Sequence, residues 1–276
     1  FWTILKIIKM SKKKFAIIGQ PIAHSLSPTL HNYWFKKYNI NAEYSVLDVK
    51  EENLEFIINR VRKKELQGIN VTLPYKQKVL PFIDRLVNDA KSTNSVNTIF
   101  IKNGKIHGDN TDVYGFEKSI LNNNINLKNK SALIFGAGGV VSSIILALLT
   151  LKIEKIYISN RTIEKAHLIK DRFNSIEVVE WGNIKNCDLF INSTSVGLKT
   201  NDHLGLNFND LKGSKIFYDV IYNPVKTNFL LDAEKNGHMI INGRDMFLYQ
   251  AQKAFNLWQN FTPKVDKKLI NYLYND

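Results

Sequence analysis

The chain of 276 residues holds a single cysteine, Cys187, so no internal disulfide can form and a stapled secreted scaffold is excluded. A lone thiol suits a reducing compartment, and a cytoplasmic location is expected. Long apolar runs are missing as well. The longest, residues 144–149, falls far short of the ~20 residues a membrane-spanning helix needs. Arginine is scarce: Arg60, Arg62, Arg85, Arg161, Arg172 and Arg244 are the only ones among 38 cationic residues. The net charge is +13, yet Lys6, Lys9, Lys12, Lys13 and Lys14 all fall in the first fourteen positions. Arginine is the usual reader of phosphates and guanine edges, so the surplus reads as composition and no nucleic-acid partner is expected. No His/Cys cluster has metal-ligand spacing, and the scattered histidines make no nucleophile triad. Internal repeats and Pro/Gly/Ser-rich linkers are absent. What remains is 44% hydrophobic and 23% charged, enough for one or two sizeable cores.

The N-terminal stretch is apolar with interspersed lysines and lacks a small-residue cleavage site. Met10-Ser-Lys-Lys-Lys14 reads as a start, so residues 1–10 are expected to be leader or upstream sequence outside the fold.

Short β-rich runs alternate with helical patterns. Strands are expected at 15–19, 43–49, 67–73, 96–102 and 105–107, with helices at 28–38, 51–64 and 76–86 between them. Further on, helices near 113–122, 139–151, 164–173 and 227–236 alternate with strands at 131–135, 155–159, 177–179, 188–192, 215–220 and 239–241. This alternation implies βαβ units and parallel sheets. The chain ends in helix, with Phe247, Ala251, Ala254, Phe255 and Trp258 on one buried face. The break between two domains is expected near Asp112.

Ser131-Ala-Leu-Ile-Phe-Gly136-Ala137-Gly138-Gly139 is a strand running into a glycine turn, followed by an apolar helix. Gly136 permits the tight turn, and Gly138 lets a pyrophosphate approach the backbone. The helix N-terminus points free N–H groups at the phosphates. Val141 stands where Gly or Ala usually sits. The next strand ends in Asn160-Arg161-Thr162, where an NAD-binding unit would place an acidic residue on the ribose. An amide, a guanidinium and a hydroxyl suit a 2′-phosphate, so the cofactor is expected to be NADP. Asn160 and Thr162 could equally cap the following helix.

Three polar segments precede this unit. In Gly19-Gln-Pro-Ile-Ala-His-Ser25-Leu-Ser27-Pro28, Ser27 reads as a helix N-cap, and two hydroxyls at i and i+2 can grip a small anion. Asn70-Val-Thr72-Leu-Pro74-Tyr-Lys76 places Lys76 in the first turn of the expected helix, where the dipole disfavours a cation and burial would favour a usable proton donor. Ser95-Val-Asn97-Thr98 and Gly108-Asp-Asn-Thr-Asp112 cluster amides, hydroxyls and carboxylates at strand ends, with neither length nor spacing for a calcium loop.

Taken in order, these segments resemble the shikimate dehydrogenase family, together with Asn192-x-Thr-Ser-Val-Gly197, Asp219-x-x-Tyr222-Asn-Pro224 and Gly243-x-x-Met246…Gln250-Ala251. The likeness runs from about residue 15 to 258. It implies an α/β chain of two domains, with a substrate domain at residues 11–112 plus 243–276 and a doubly wound Rossmann NADP-binding domain at 113–242. The C-terminal helices would return to the first domain. It also implies reduction of 3-dehydroshikimate to shikimate with NADPH. By resemblance, Ser25 and Ser27 hold the substrate carboxylate, and Thr72, Asn97 and Gln250 bind its hydroxyls. Tyr222 lines the cleft, and Lys76 and Asp112 form the catalytic pair. Gly136, Ala137, Gly138, Gly139, Asn160, Arg161 and Thr162 would bind NADP, with Ser195, Gly243 and Met246 edging the nicotinamide pocket. A monomer or homodimer is expected. Two departures stand out: Val140-Val141-Ser142-Ser143 lacks the basic residue often found after the glycines, and Ser95 replaces a usual Gly. The competing readings are a quinate/shikimate dehydrogenase of broader substrate or NAD use, and a non-catalytic shikimate or NADP sensor.

Overall fold

The computed structural model describes residues 12–274 except His24 and Thr200; the expected leader lies outside that range. One sheet contains β1 (Lys13–Gly19), β2 (Ala42–Asp48), β3 (Gly68–Val71), β4 (Arg85–Leu86), β5 (Thr98–Lys102) and β6 (Lys105–Asp109), in the order β2-β1-β3-β5-β6-β4. Residues 15–18 of β1 are all buried, as an inner strand covered on both faces requires. Phe15 and Ile17 pack with Leu30, Trp34 and Phe35 of helix α1 (Ser27–Lys37). Ala16 and Ile18 face Leu54, Ile57, Ile58 and Val61 of α2 (Leu54–Arg62).

This sheet is mixed, which corrects the expectation of parallel sheets throughout. β1 pairs in parallel with β2 and β3, but β5 pairs antiparallel with β3 and β6. Asn103 and Gly104 adopt φ of 51° and 72° between β5 and β6. Such a two-residue connection can only return the chain as a hairpin.

The expected helix at 76–86 is also absent. Those residues form turns, a short 3-10 turn at Leu80–Phe82 and β4. The Lys76 carbonyl accepts from the Val96 N–H at 2.8 Å, so it is not available to residue 80 in the helical manner. Pro81 has no N–H to offer Gln77. Helix α3 (Asn88–Thr93) follows and was not foreseen.

After α4 (Thr111–Asn122) comes a second sheet, of β7 (Ser131–Phe135), β8 (Lys155–Ser159), β9 (Ile176–Val179), β10 (Leu189–Asn192), β11 (Ile216–Asp219) and β12 (Met239–Ile241). Its order is β12-β11-β10-β7-β8-β9, and every neighbouring pair is parallel. This is the doubly wound arrangement, with its strand-order reversal between β7 and β10. Helices α5 (Val141–Thr150), α6 (Ile163–Lys170) and α7 (Asn228–Lys235) cover it. Helix α8 (Arg244–Gln259) then crosses back over α4. Met246, near its start, packs in the core beneath the second sheet. Phe255, near its end, stands 5.4 Å from the rings of Trp34 and Phe35, and Trp258 Nε1 donates to the Ile99 carbonyl at 3.3 Å. Helix α9 (Lys267–Tyr274) ends the described chain, with Leu269 buried in the same cluster.

Candidate active site

Lys76 and Asp112 are thirty-six positions apart, yet Lys76 Nζ donates to Asp112 Oδ2 at 2.5 Å. Their side chains are 12% and 8% exposed, so the pair is almost dry. Lys76 is held on a turn beyond β3, not in the first turn of a helix as expected, so no helix dipole acts on it. Asp112 is the second residue of α4, where the unbonded N–H groups of the first turn favour a carboxylate. Its N–H donates to Asn110 Oδ1, the helix cap.

Asn97 fixes the other carboxylate oxygen. Its Nδ2 donates to Asp112 Oδ1 at 2.8 Å, while its Oδ1 accepts from Thr111 N, Thr98 Oγ1 and Thr111 Oγ1. This set leaves one orientation for the amide, because a flipped Asn97 would oppose donors to donors. Asn70, buried on β3, donates to the Asn97 carbonyl and to Thr98 Oγ1. The resemblance gives Asn97 a substrate hydroxyl; its bond to Asp112 is a finding of the structure. Thr98, Thr111 and Asn70 lay within the quoted motifs but were given no role.

The serine segment sits at the same end of the sheet. Helix α1 begins at Ser27 with no side-chain cap, so Ser27 is not the N-cap; instead the Ser25 hydroxyl accepts from the Ser27 N–H at 3.2 Å. Ser27 is itself buried at the start of the helix. Thr72 is half-buried just past β3, its N–H donating to the Ile18 carbonyl. Tyr222 comes from the second half but packs, with Leu26, against the cluster around α1, and burial pushes its pKa up. Its ring stacks on Phe247 at 4.6 Å, and Gln250 Nε2 donates to the Phe247 carbonyl.

The glycine turn closes the cleft from the other side. A cavity of about 210 Å³ is lined by Leu73, Lys76 and Gln77 on one wall and by Ala137, Gly138 and Gly139 on the other. Gly136 has φ +112°, and a Cβ there would lie 2.7 Å from Ser193 Oγ, so only glycine fits. A Cβ at Gly138 would meet nothing within 4 Å, which leaves that backbone open to a ligand. The following helix starts at Val141, two residues later than expected, with no side-chain cap to occupy its first amides. Val141 itself is fully buried in the core, which therefore admits its larger side chain. The turn is tied to the next strand by Gly136 N–H donating to the Ser159 carbonyl.

Asn160 is half-buried, and Arg161 and Thr162 are exposed. Thr162 occupies the N-cap position of α6 but makes no capping bond with its side chain, and Asn160 Nδ2 donates to the Thr162 carbonyl. Neither amide nor hydroxyl is thus consumed as a cap. Ser195 is exposed on the loop after β10, beside the strand-order reversal. Gly243 lies so close to Val220 that a Cβ would sit 2.1 Å from its carbonyl oxygen. Met246 is 6% exposed. Open backbone at Gly138 and an uncommitted, exposed Arg161 at the carboxyl ends of parallel strands fit a phosphorylated dinucleotide.

Comparisons with known proteins identify the family. Residues 17–99 match the shikimate dehydrogenase substrate-binding domain, and residues 118–200 match the shikimate/quinate 5-dehydrogenase family. A shikimate dehydrogenase (NADP(+)) of Pelagibacter ubique is 51% identical over 262 residues, covering 95% of this chain and 99% of that protein. The Thermus thermophilus shikimate 5-dehydrogenase, solved with NADP(H) and shikimate, superposes with a TM-score of 0.87 at 29% identity over 95% of this chain and 99% of that one. The Listeria monocytogenes enzyme, solved with shikimate and NAD, gives 0.89 at 29% identity over 98% and 99%. The chain belongs to the shikimate dehydrogenase family.

Proposed function

We propose that the protein interconverts 3-dehydroshikimate and shikimate, working in aromatic amino-acid biosynthesis with NADP as its cofactor. Lys76, paired with buried Asp112 and facing the glycine turn across a cavity, carries this reading. When bound, NADPH supplies the hydride that reduces the C3 ketone. Gly136, Ala137, Gly138 and Gly139 would cradle its phosphates, and Asn160, Arg161 and Thr162 would hold the 2′-phosphate. Ser195, Gly243 and Met246 would edge the nicotinamide.

The chain's own residues then do the rest. Ser25 and Ser27 grip the substrate carboxylate at the start of α1. Thr72, Asn97 and Gln250 bind ring hydroxyls, and Tyr222 closes the apolar side. Lys76 gives its proton to the C3 oxygen as negative charge develops there, and solvent reprotonates the amine. In the oxidation direction the neutral amine takes the hydroxyl proton. Asp112 holds the ammonium in place and accepts from a substrate hydroxyl. Burial of both groups strengthens these contacts by excluding water.

The same reading assigns residues 11–112 and 243–276 to the substrate domain and 113–242 to the cofactor domain. It places the enzyme in the cytoplasm as a monomer or homodimer without a nucleic-acid partner. The sparse arginines support this, as does Cys187, whose thiol burial pushes up to about 11. No described helix is long and apolar enough to cross a membrane.

The test is absorbance at 340 nm with shikimate or quinate, each with NADP+ or NAD+. Turnover of shikimate with NADP+ is expected to dominate. Equal kcat/KM for the two cofactors would overturn the selectivity, and turnover of neither polyol would leave a binding-only sensor.

A further inference from the structure

One buried side chain of the first half lies outside every motif and yet joins two parts of the proposed site. Tyr44, on β2, is 3% exposed. Its phenol passes the intervening β1 and donates to Asn70 Oδ1 on β3 at 2.7 Å. From there the bonds run in one direction. Asn70 Nδ2 donates to Thr98 Oγ1 at 3.0 Å, Thr98 Oγ1 donates to Asn97 Oδ1 at 3.0 Å, and Asn97 Nδ2 donates to Asp112 Oδ1 at 2.8 Å. Asp112 then receives Lys76. Asn70, Thr98, Asn97 and Asp112 are all buried, so each bond forms away from water.

Tyr44 is itself held tightly. The Asn32 side chain grips its backbone twice, donating to the Tyr44 carbonyl at 2.8 Å and accepting from its N–H at 2.9 Å. His31 stacks on its ring at 4.5 Å with planes 9° apart. Ser27, His31 and Asn32 share helix α1, so the helix that presents the serine also aims the phenol. Burial keeps that phenol protonated and therefore a donor.

We propose that Tyr44 is a positioning residue for the dehydrogenase reaction: held by Asn32 and His31 of helix α1, it orders the Asn97–Asp112–Lys76 centre through its phenol, Asn70 and Thr98. This rests on the function proposed above. Without the phenol, Asn70 Oδ1 loses its donor in a buried site, and the amide is no longer fixed where it orders Thr98 and Asn97.

The test uses Tyr44→Phe and Thr98→Val, singly and together, in the full chain, with steady-state kinetics and a thermal melt of each. Tyr44→Phe is expected to lower kcat for shikimate oxidation about tenfold, one strong buried hydrogen bond's worth of misalignment, while KM for NADP+ stays within twofold. The double variant is expected to be no slower than the slower single one, because both break the same chain. Shikimate kcat and KM within twofold of the parent in a folded Tyr44→Phe protein would overturn the proposal, as would single losses that simply multiply. If Tyr44→Phe does not fold, Thr98→Val breaks the chain one link further on, and an unchanged kcat there overturns it equally. A parent protein that does not turn over shikimate would overturn the functional reading and the coupling together, which separates that failure from this one.

Discussion

Asp112 and Arg161, the charged groups that the proposed function gives to substrate and to cofactor, are kept in opposite settings. Asp112 is buried, and both its oxygens are bonded to protein donors. Arg161 stands in solvent at the end of β8. The same contrast holds around them: Asn97, Thr98 and Thr111 satisfy one another, whereas Thr162 caps nothing and Gly138 faces open space. On the proposed roles, the substrate side is built before its ligand arrives, while the cofactor side is completed by its ligand. Groups of the first kind should govern kcat, and groups of the second should govern cofactor KM.

Lys76→Ala is the hardest test of that division. It removes the proton donor from a preformed pair, so kcat is expected to fall ~10²-fold or more with KM for NADP+ little changed. Steady-state assays of shikimate oxidation check this. A small kcat loss with a large rise in shikimate KM would make Lys76 a binding group and break the comparison.

The halves also differ in how they answer acid. His31 is wholly buried among aromatic rings with Nδ1 unbonded, and burial pulls its pKa down to about 3. The unfolded chain therefore takes up a proton below pH ~6.5 that the folded chain refuses, and stability falls as pH drops through that range. In the second half, burial pushes Asp219 up to about 6 despite bonds from Thr227, Ile221 and Asn192. Here the folded chain takes the proton first, so stability rises as pH falls from about 6 toward 4. At pH 5 the histidine contributes a loss of about 2 kcal/mol relative to pH 7. His31→Phe keeps a flat ring and removes this loss. Between pH 7 and 5 its Tm is expected to drop roughly 5 °C less than the parent's. Parallel melting curves for the two proteins would refute the assignment.

The glycine turn was legible because it depends on local chemistry: a strand, a glycine that must take φ +112°, and an apolar helix. The doubly wound arrangement of the second sheet was legible through resemblance, and its strand order is a finding of the structure. The Lys76–Asp112 contact was legible only through resemblance, since nothing in spacing brings positions so far apart together. The mistaken helix at 76–86 has a similar origin. Its sequence suits a helix start, but the Val96 N–H from a distant segment takes the Lys76 carbonyl. Tyr44 gave no signal at all. A tyrosine in an alternating strand reads as core, and its phenol becomes informative only when β1 and β3 are laid beside it. Ser27 shows the finer limit, because which serine bonds the α1 amide depends on where the helix begins.

Arg161→Ala tests the open half, where the expected effect is the smallest. The guanidinium is exposed and makes no bond that holds the fold, so its removal should leave Tm unchanged. If it faces the 2′-phosphate, one charge-assisted contact is lost, and KM for NADP+ should rise about tenfold at unchanged kcat. NAD+ has no such phosphate, so its KM should not move, and the preference between the two cofactors narrows by the same factor. Added salt should shrink the parent's preference as well, because an exposed ion pair is screened and a buried one is not. Equal effects on both cofactors would mean that Arg161 contacts a part they share, and Asn160 and Thr162 would then be left to select the phosphate.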